Sequence, residues 1–291
     1  MKLSLPNINK YMKTQKEKIT LSIVIVNLNT VDLTRGCIES IYKHKPKFSF
    51  EVMVTDNGSN DGSVEMLKIF DKKYDNFTLI LNDTNTGYGK ANNQGINKSN
   101  GEYILLLNND TIVYKDSLDK LVEFAEKTPD AGVVGSRLLN IDGTLQMSCY
   151  HFPTITNAIK EYWFGKKGLF EKFAPLGKKP VTVDSVVGAA FLITPEARKR
   201  VGILDERYFA YFEDVDYCRQ TWKKGLKVYY LPESVIKHYH GATFKKLADD
   251  GNRWRKLIPS SIIYHGLLKH YILFVILWTG QKWQKVLKLL G

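Results

Sequence analysis

Tyr103-Ile104-Leu105-Leu106-Leu107-Asn108-Asn109-Asp110 is an apolar run that ends abruptly in two amides and a carboxylate. Four of its first five residues are aliphatic, which suits a strand buried on both faces of a parallel sheet. Polar groups at the end of such a strand cost desolvation energy unless they meet ligands. The carboxyl ends of parallel strands are where open α/β sheets bind them. Hard oxygen donors of this kind suit Mg2+ or Mn2+, which are commonly held by one or two carboxylates plus substrate phosphates. The bland alternative is a cap for the next helix, but Asp116 and Ser117 stand closer to that helix start.

The flanking sequence alternates in the same sense. Upstream, β-branched and apolar runs at Leu21 to Val26, Glu51 to Thr55 and Phe77 to Leu81 predict strands. They are separated by helical stripes at Asp32 to Tyr42, Ser63 to Phe70 and Ala91 to Lys98. Downstream, Ser117 to Lys127 predicts a helix and Gly132 to Gly135 a short fifth strand. Strand–helix alternation with runs this apolar implies an α/β fold with a doubly wound, mostly parallel sheet. The second half is less regular. Residues 151–180 mix aromatics with six lysines and read as a long, mobile excursion. Val181 to Thr194 is strand-like, Asp214 to Lys224 helical, and Lys227 to Leu231 a last strand.

Composition narrows the function classes. The 291 residues hold one large α/β domain or slightly more. Three scattered cysteines show no metal-ligand spacing, which fits a reducing cytosol without a disulfide framework. Residues 1–18 lack the apolar segment of a signal peptide. Ile258 to Thr279 is broken by His265, Lys269 and His270 and is too short in its apolar part to span a bilayer. The net charge of +12 is concentrated at the ends, with five Lys against one Glu in residues 1–18 and nine Lys/Arg against two Asp in 245–291. A nucleic-acid enzyme would carry basic charge around its reaction groove, so the distribution argues for a docked surface and against nucleic acid.

Four more clusters carry chemistry. Asp56 ends the second strand and enters Asn57-Gly58-Ser59-Asn60-Asp61-Gly62, a turn tolerant of left-handed backbone; its carboxylate could accept a base N–H, or simply build an Asx turn. Asn85-Thr86-Gly87-Tyr88-Gly89-Lys90-Ala91-Asn92-Asn93 offers backbone N–H groups at a helix start, and Lys90 adds charge. Glu213-Asp214-Val215-Asp216 follows Tyr208-Phe209-Ala210-Tyr211-Phe212; three carboxylates in four positions exceed what capping requires, and the aromatics would raise a carboxyl toward a useful base. His238-Tyr239-His240-Gly241 offers imidazoles that could complete a metal site with Asp110.

In this order the clusters resemble the family 2 inverting glycosyltransferases of GT-A fold, and within them the rhamnosyltransferase-like branch. The matching stretches are Ser22 to Asn29, Asp56 to Gly62, Asn85 to Gly95, Leu107 to Asp110, Val187 to Phe191, Phe209 to Arg219 and Pro232 to Thr243. The resemblance implies that Asp56 and the strand end Val26, Asn27 and Asn29 hold the nucleotide base, and that Gly87, Lys90, Asn92 and Asn109 lie near ribose and phosphate. It implies Asp110 and His238 as metal ligands for Mg2+ or Mn2+, with Asn108 and His240 as further candidates; Asn108 stands where the family motif carries its first Asp. Asp214 matches the catalytic base, and Gly188, Ala189, Glu213 and Asp216 fall on the acceptor side. The implied donor is a nucleoside-diphosphate sugar (dTDP-rhamnose, with UDP- and GDP-sugars open), and the acceptor a glycan or polyprenyl-linked glycan in cell-surface polysaccharide synthesis.

The expected layout is a basic tail over 1–18, a GT-A domain over 19–244 (a donor half 19–136 and an acceptor half 137–244), and basic amphipathic helices over 245–291. From Trp254 onward aromatics and aliphatics interleave with lysines, a pattern of helices lying in a membrane interface. Packing on a second subunit is the competing expectation. The expected location is cytoplasmic, peripheral on the inner membrane face. Two rival functions remain at this level: a sugar-phosphate nucleotidyltransferase, for which Asn27 to Thr30 lacks the basic Gly-rich signature, and a non-catalytic nucleotide-sugar-binding scaffold, against which Asp110, Asp214 and His238 speak.

Overall fold

A computed structural model describes residues 18–239 and 250–290. Residues 1–17, nearly all of the expected basic tail, and His240 lie outside the described residues. The first half is built as the apolar runs demand. Strand β1 (Leu21–Asn27), helix α1 (Val31–Lys43), β2 (Phe50–Asp56), α2 (Ser63–Lys73), β3 (Phe77–Leu81), α3 (Tyr88–Lys98) and β4 (Tyr103–Leu107) follow one another, and the strands pair in parallel in the order β3-β2-β1-β4. Successive residues of a strand point to opposite faces, and here both faces are core. Ile23, Ile25, Val52, Val54 and Leu105 pack with Cys37, Ile38 and Leu67 on one side. Val24, Met53, Ile104 and Leu106 pack with Ile96 on the other. Each such fully buried aliphatic side chain is worth about 1.5–3 kcal/mol, which is why these strands read as unbroken apolar runs. Asn27 is in register with Asp56, so the polar ends of β1 and β2 emerge at one level.

The chain continues through β5 (Thr111–Val113), α4 (Ser117–Glu126), β6 (Ala131–Leu139), β7 (Cys149–Tyr150), α5 (Ile155–Tyr162), β8 (Val181–Thr182), β9 (Ser185–Val186), β10 (Ala190–Ile193), α6 (Pro195–Arg200), α7 (Glu213–Lys223) and β11 (Lys227–His238). The sheet extends as β4-β10-β6-β11-β5, with β8 on β11. Here it is mixed: β10 runs antiparallel to both β4 and β6, while β6 and β11 are parallel. Two strands are longer than the sequence pattern predicts. β11 does not stop at Leu231; its register slips between Leu231 and Val235, absorbing Pro232, which has no N–H to give a ladder. It then pairs antiparallel with β5, setting His238 opposite Thr111. That slip carries His238 beside Asp110. The strand-like stretch from Val181 is three short strands, of which β10 sets Gly188 and Ala189 beside the end of β4 through the bond Asn108 N–H to Ala189 C=O, 3.0 Å.

The 151–180 excursion is organised around one buried carboxylate. Glu161 accepts the backbone N–H groups of Leu169 (2.8 Å), Phe170 (2.5 Å) and Glu171 (3.1 Å). Two C-terminal helices, α8 (Asp250–His265) and α9 (Leu267–Leu290), turn at Gly266, whose φ is +78°.

Candidate active site

The end of β4 meets the end of β11 in a polar chain whose direction is fixed link by link. The Gln146 amide nitrogen donates to Asn140 Oδ1 (2.8 Å) and to the His238 carbonyl (3.2 Å), so its oxygen faces His238 Nδ1 at 2.7 Å. Nδ1 therefore carries the proton, and Nε2 is the atom turned toward Asp110 and Asn108. Nε2 lies 3.2 Å from Asp110 Oδ1 and 3.4 Å from Asn108 Nδ2. Asn108 Oδ1 in turn accepts the Tyr88 hydroxyl at 2.9 Å. Asp110 is 4% exposed, and among the described residues its Oδ1 has no hydrogen-bond donor. A buried carboxylate oxygen without such a donor, faced by the second nitrogen of an imidazole, is an arrangement that suits a divalent cation. Among the described residues no group of three or more His, Cys, Asp or Glu surrounds such a position. Asp110 and His238 could offer two ligands to such a cation, with substrate phosphates as the others.

The second acidic corner opens α7. Tyr211 and Phe212 both have left-handed backbone, φ +68° and +70°. Bulky residues pay about 1–3 kcal/mol each for this conformation; it turns the start of α7 so that Glu213 and Asp214 face the cleft. Asp214 accepts the backbone N–H groups of Gly188 (2.9 Å) and Val215 (2.8 Å). Burial raises its carboxyl above the usual carboxylate range, against the pull of those two N–H groups. Glu213 is pushed up to about 8 by burial and then by the Asp214 charge, and among the described residues its Oε2 is buried without a hydrogen-bond partner. With two N–H groups to hold its charge, Asp214 is the better carboxylate of the pair, and Glu213, raised to about 8, keeps its proton at neutral pH. Tyr88 joins the two corners: its hydroxyl reaches Asn108 Oδ1 and also lies 3.2 Å from the Gly188 carbonyl.

The third corner is a tightly bonded lattice. Asp56, 1% exposed, accepts from Asn27 Nδ2 (2.6 Å) and from the Ser59 N–H (2.9 Å). Asn27 Oδ1 accepts from Thr30 and Thr34, and the Asn109 amide donates into the same group. Asn29, at φ +51°, accepts the Asn60 N–H at 2.8 Å.

A cleft of about 810 Å³ runs past Val26, Tyr88, Asn108, Asn109, Asp110, His238, Gly188, Ala189, Glu213 and Asp214. Its opposite wall is Tyr150, His151 and the C-terminal helices. The metal-type corner and the acid pair thus share one space. Asp56 does not line it and stands at the end of β2, two strands from β4. Gly87, at φ +92°, adjoins it; an added Cβ would sit 2.8 Å from the Phe209 carbonyl oxygen. Lys90 is exposed on α3, and Asn92 is buried with its amide on the Tyr88 carbonyl. Asp216 points away: it pairs with Arg219, whose guanidinium stacks 3.8 Å from the Tyr264 ring, so it ties α7 to α8. Gln146 and Tyr150 were not legible as site residues, since Gln146 reaches the cleft from an irregular stretch and Tyr150 from the two-residue strand β7. Tyr88 stood within the glycine loop, and nothing in the sequence set it apart as the residue that joins the two corners.

A mixed sheet of this order, with a carboxylate–histidine corner and a separate buried acid on one cleft, defines a glycosyltransferase of GT-A fold. A sequence model described as Glycosyl transferase family 2 matches residues 22–188, and the chain belongs to that family. It is 26% identical over 239 residues to the N-acetylglucosaminyl-diphospho-decaprenol L-rhamnosyltransferase of Mycobacterium tuberculosis, covering 70% of this chain and 76% of that protein. Among solved structures it is similar to GalNAc-T7 with UDP, GalNAc and Mn2+, with a TM-score of 0.62 and 19% identity over 76% of this chain and 43% of that one. It is also similar to the mannosyltransferase PcManGT from Pyrobaculum calidifontis in complex with GDP-Man and Mn2+, with a TM-score of 0.57 and 15% identity over 89% of this chain and 65% of that one. At those identities the two structures speak to the fold.

Proposed function

We propose that the chain is an inverting transferase that moves a sugar, rhamnose foremost, from a nucleoside-diphosphate donor to a hydroxyl of a lipid-linked glycan at the cytoplasmic membrane face. The observation that carries this reading is Asp214: an acid held by two backbone N–H groups, facing the same cleft as Asp110 and His238. The relative from Mycobacterium tuberculosis, by its name, acts on a decaprenol-linked acceptor, and it supports the choice of acceptor and sugar. On this reading residues 19–136 serve the donor, 137–244 the acceptor and 245–291 the membrane.

In the proposed reaction the acceptor hydroxyl enters beside Asp214 and gives its proton to that carboxylate. Its oxygen forms a bond to the anomeric carbon from the face opposite the nucleotide. The bond from that carbon to the diphosphate oxygen breaks, its electron pair leaves with the diphosphate, and the anomeric centre inverts. A divalent cation held by Asp110 and His238 would act as a Lewis acid toward the diphosphate charge. Glu213, which keeps its proton, offers a sugar oxygen a hydrogen bond. Tyr88 fixes the Gly188 and Asn108 ends relative to each other.

The test is a panel of dTDP-, UDP- and GDP-sugars with Mn2+. The true donor stabilises by about 2.7 kcal/mol at a hundredfold excess over Kd and is turned over, with the product anomer inverted by NMR. A panel in which no nucleotide sugar raises the melting temperature would overturn the proposal.

A further inference from the structure

Helix α9 has three faces with different neighbours. Its seam is fastened to α5: a Cβ on Gly280 would come within 2.7 Å of Tyr162, Gln284 Nε2 donates to the Tyr162 carbonyl at 3.3 Å, and Trp283 stacks on Trp163 with ring centroids 6.3 Å apart. Its inner face, with Leu273, Leu277 and Gln281, lines the catalytic cleft. Its outer face is apolar and open. Leu268 is 77% and Val275 55% exposed, and Tyr271, Ile272 and Val286 fall on the same helical stripe. Phe274 and Trp278 stand between the last two faces; both line the cleft, and both are about half exposed.

A stripe of this kind on a helix fixed to the fold is unusual on a soluble surface and marks a docking face. The charge says what covers it. Residues 267–290 contain four lysines and no acidic residue. Lys282 sits 3.6 Å over the Trp278 ring, at the boundary between cleft and stripe. Apolar stripe, interfacial tryptophans and lysines without acids are what a helix lying in an anionic bilayer surface carries. Among the described residues no helix is long and apolar enough to cross a membrane.

We propose that the outer stripe of α9 lies in the interface of an anionic bilayer and that Phe274 and Trp278 guide an isoprenoid chain from that bilayer into the cleft facing Asp214. This rests on the lipid-linked acceptor of the proposed function and adds its route: the tail never leaves an apolar environment while its head reaches the base.

The test uses binding alone, so a failure of sugar transfer leaves it intact. The full chain is floated with mixed phosphatidylglycerol–phosphatidylcholine vesicles and with phosphatidylcholine alone, and its tryptophan emission is read with brominated acyl chains. The expected result is flotation with the anionic vesicles and quenching there. Both are lost in Leu268→Glu and in Val275→Glu, whose melting temperatures match wild type because both positions are exposed. Anisotropy of a dansyl-labelled farnesyl phosphate gives the second reading, with Kd raised about tenfold by Phe274→Ala, the loss expected for one aromatic contact. Flotation unchanged by both glutamates would overturn the docking face. So would a wild-type dimer that these variants split into monomers, since the stripe would then cover a second copy. An unchanged farnesyl phosphate Kd in Phe274→Ala would overturn the route.

Discussion

The His238 ring is oriented by Gln146, itself a residue of the cleft wall. Gln146 can place its oxygen on Nδ1 only because its nitrogen is bound twice elsewhere, to Asn140 and to the His238 carbonyl. That choice leaves Nε2 facing Asp110, where the proposed cation would sit. Gln146→Met removes the acceptor while keeping the length of the side chain. It should weaken Mn2+ binding by about 10–100-fold, read as the Mn2+ concentration needed for half of the thermal shift; an unchanged concentration would deny Gln146 this role. The acid pair makes a second prediction at the same scale. Glu213 is raised in the fold from 4.5 to about 8. Between those values the folded chain holds a proton that the unfolded chain has released, so the contribution is full below 4.5 and is lost as pH rises through about 8. Glu213→Gln should flatten the fall in stability across that window in urea titrations. A wild-type profile that rises from pH 5 to 8, with the same slope in the variant, would contradict the neutral Glu213. Neither Gln146 nor this difference between Glu213 and Asp214 was legible in the sequence, because each depends on which chain segments bury it.

At the scale of elements, the loop before α3 and the loop before α7 hold each other. Tyr88 N–H donates to the Phe209 carbonyl at 2.8 Å, and Gly87 leaves no room there for a side chain. Gly87→Ala combines a positive φ with that clash. It should cost about 1–3 kcal/mol in chemical denaturation and weaken the hold of α7 on Asp214; a loss below a few tenths would show that the two loops are not coupled. The parallel half was legible because both faces of its strands are core, and the apolar runs say so. The end of β11 was not, since a proline usually stops a strand and here a register slip passes it, and β6 runs on beside it to Leu139. The reversal of β10 was hidden as well. Four residues carry no direction, and only pairing with both β4 and β6 sets it.

At the scale of the molecule, one sheet brings three sequence-distant acidic positions toward a common end, yet with unequal access. Asp110 and Asp214 share the cleft, linked through Tyr88 and Gly188. Asp56 remains inside its own hydrogen-bonded lattice at the end of β2. The order of clusters along the sequence was enough to expect one reaction space, but not to tell a lining residue from a supporting one: Asn27 and Asp216 are bonded away from the cleft, while Asn109 lines it and also donates to Thr30 and Thr34. The wall that α9 closes was legible only as a basic, apolar composition. The most direct measurement is donor affinity by calorimetry and transfer rate for Asp214→Asn beside wild type, with the same donor and acceptor. Removal of the base predicts an unchanged donor Kd and a kcat lower by about 10²–10⁴-fold. A variant that transfers sugar within a few-fold of wild type would contradict the assignment of Asp214, and with it the single-cleft mechanism.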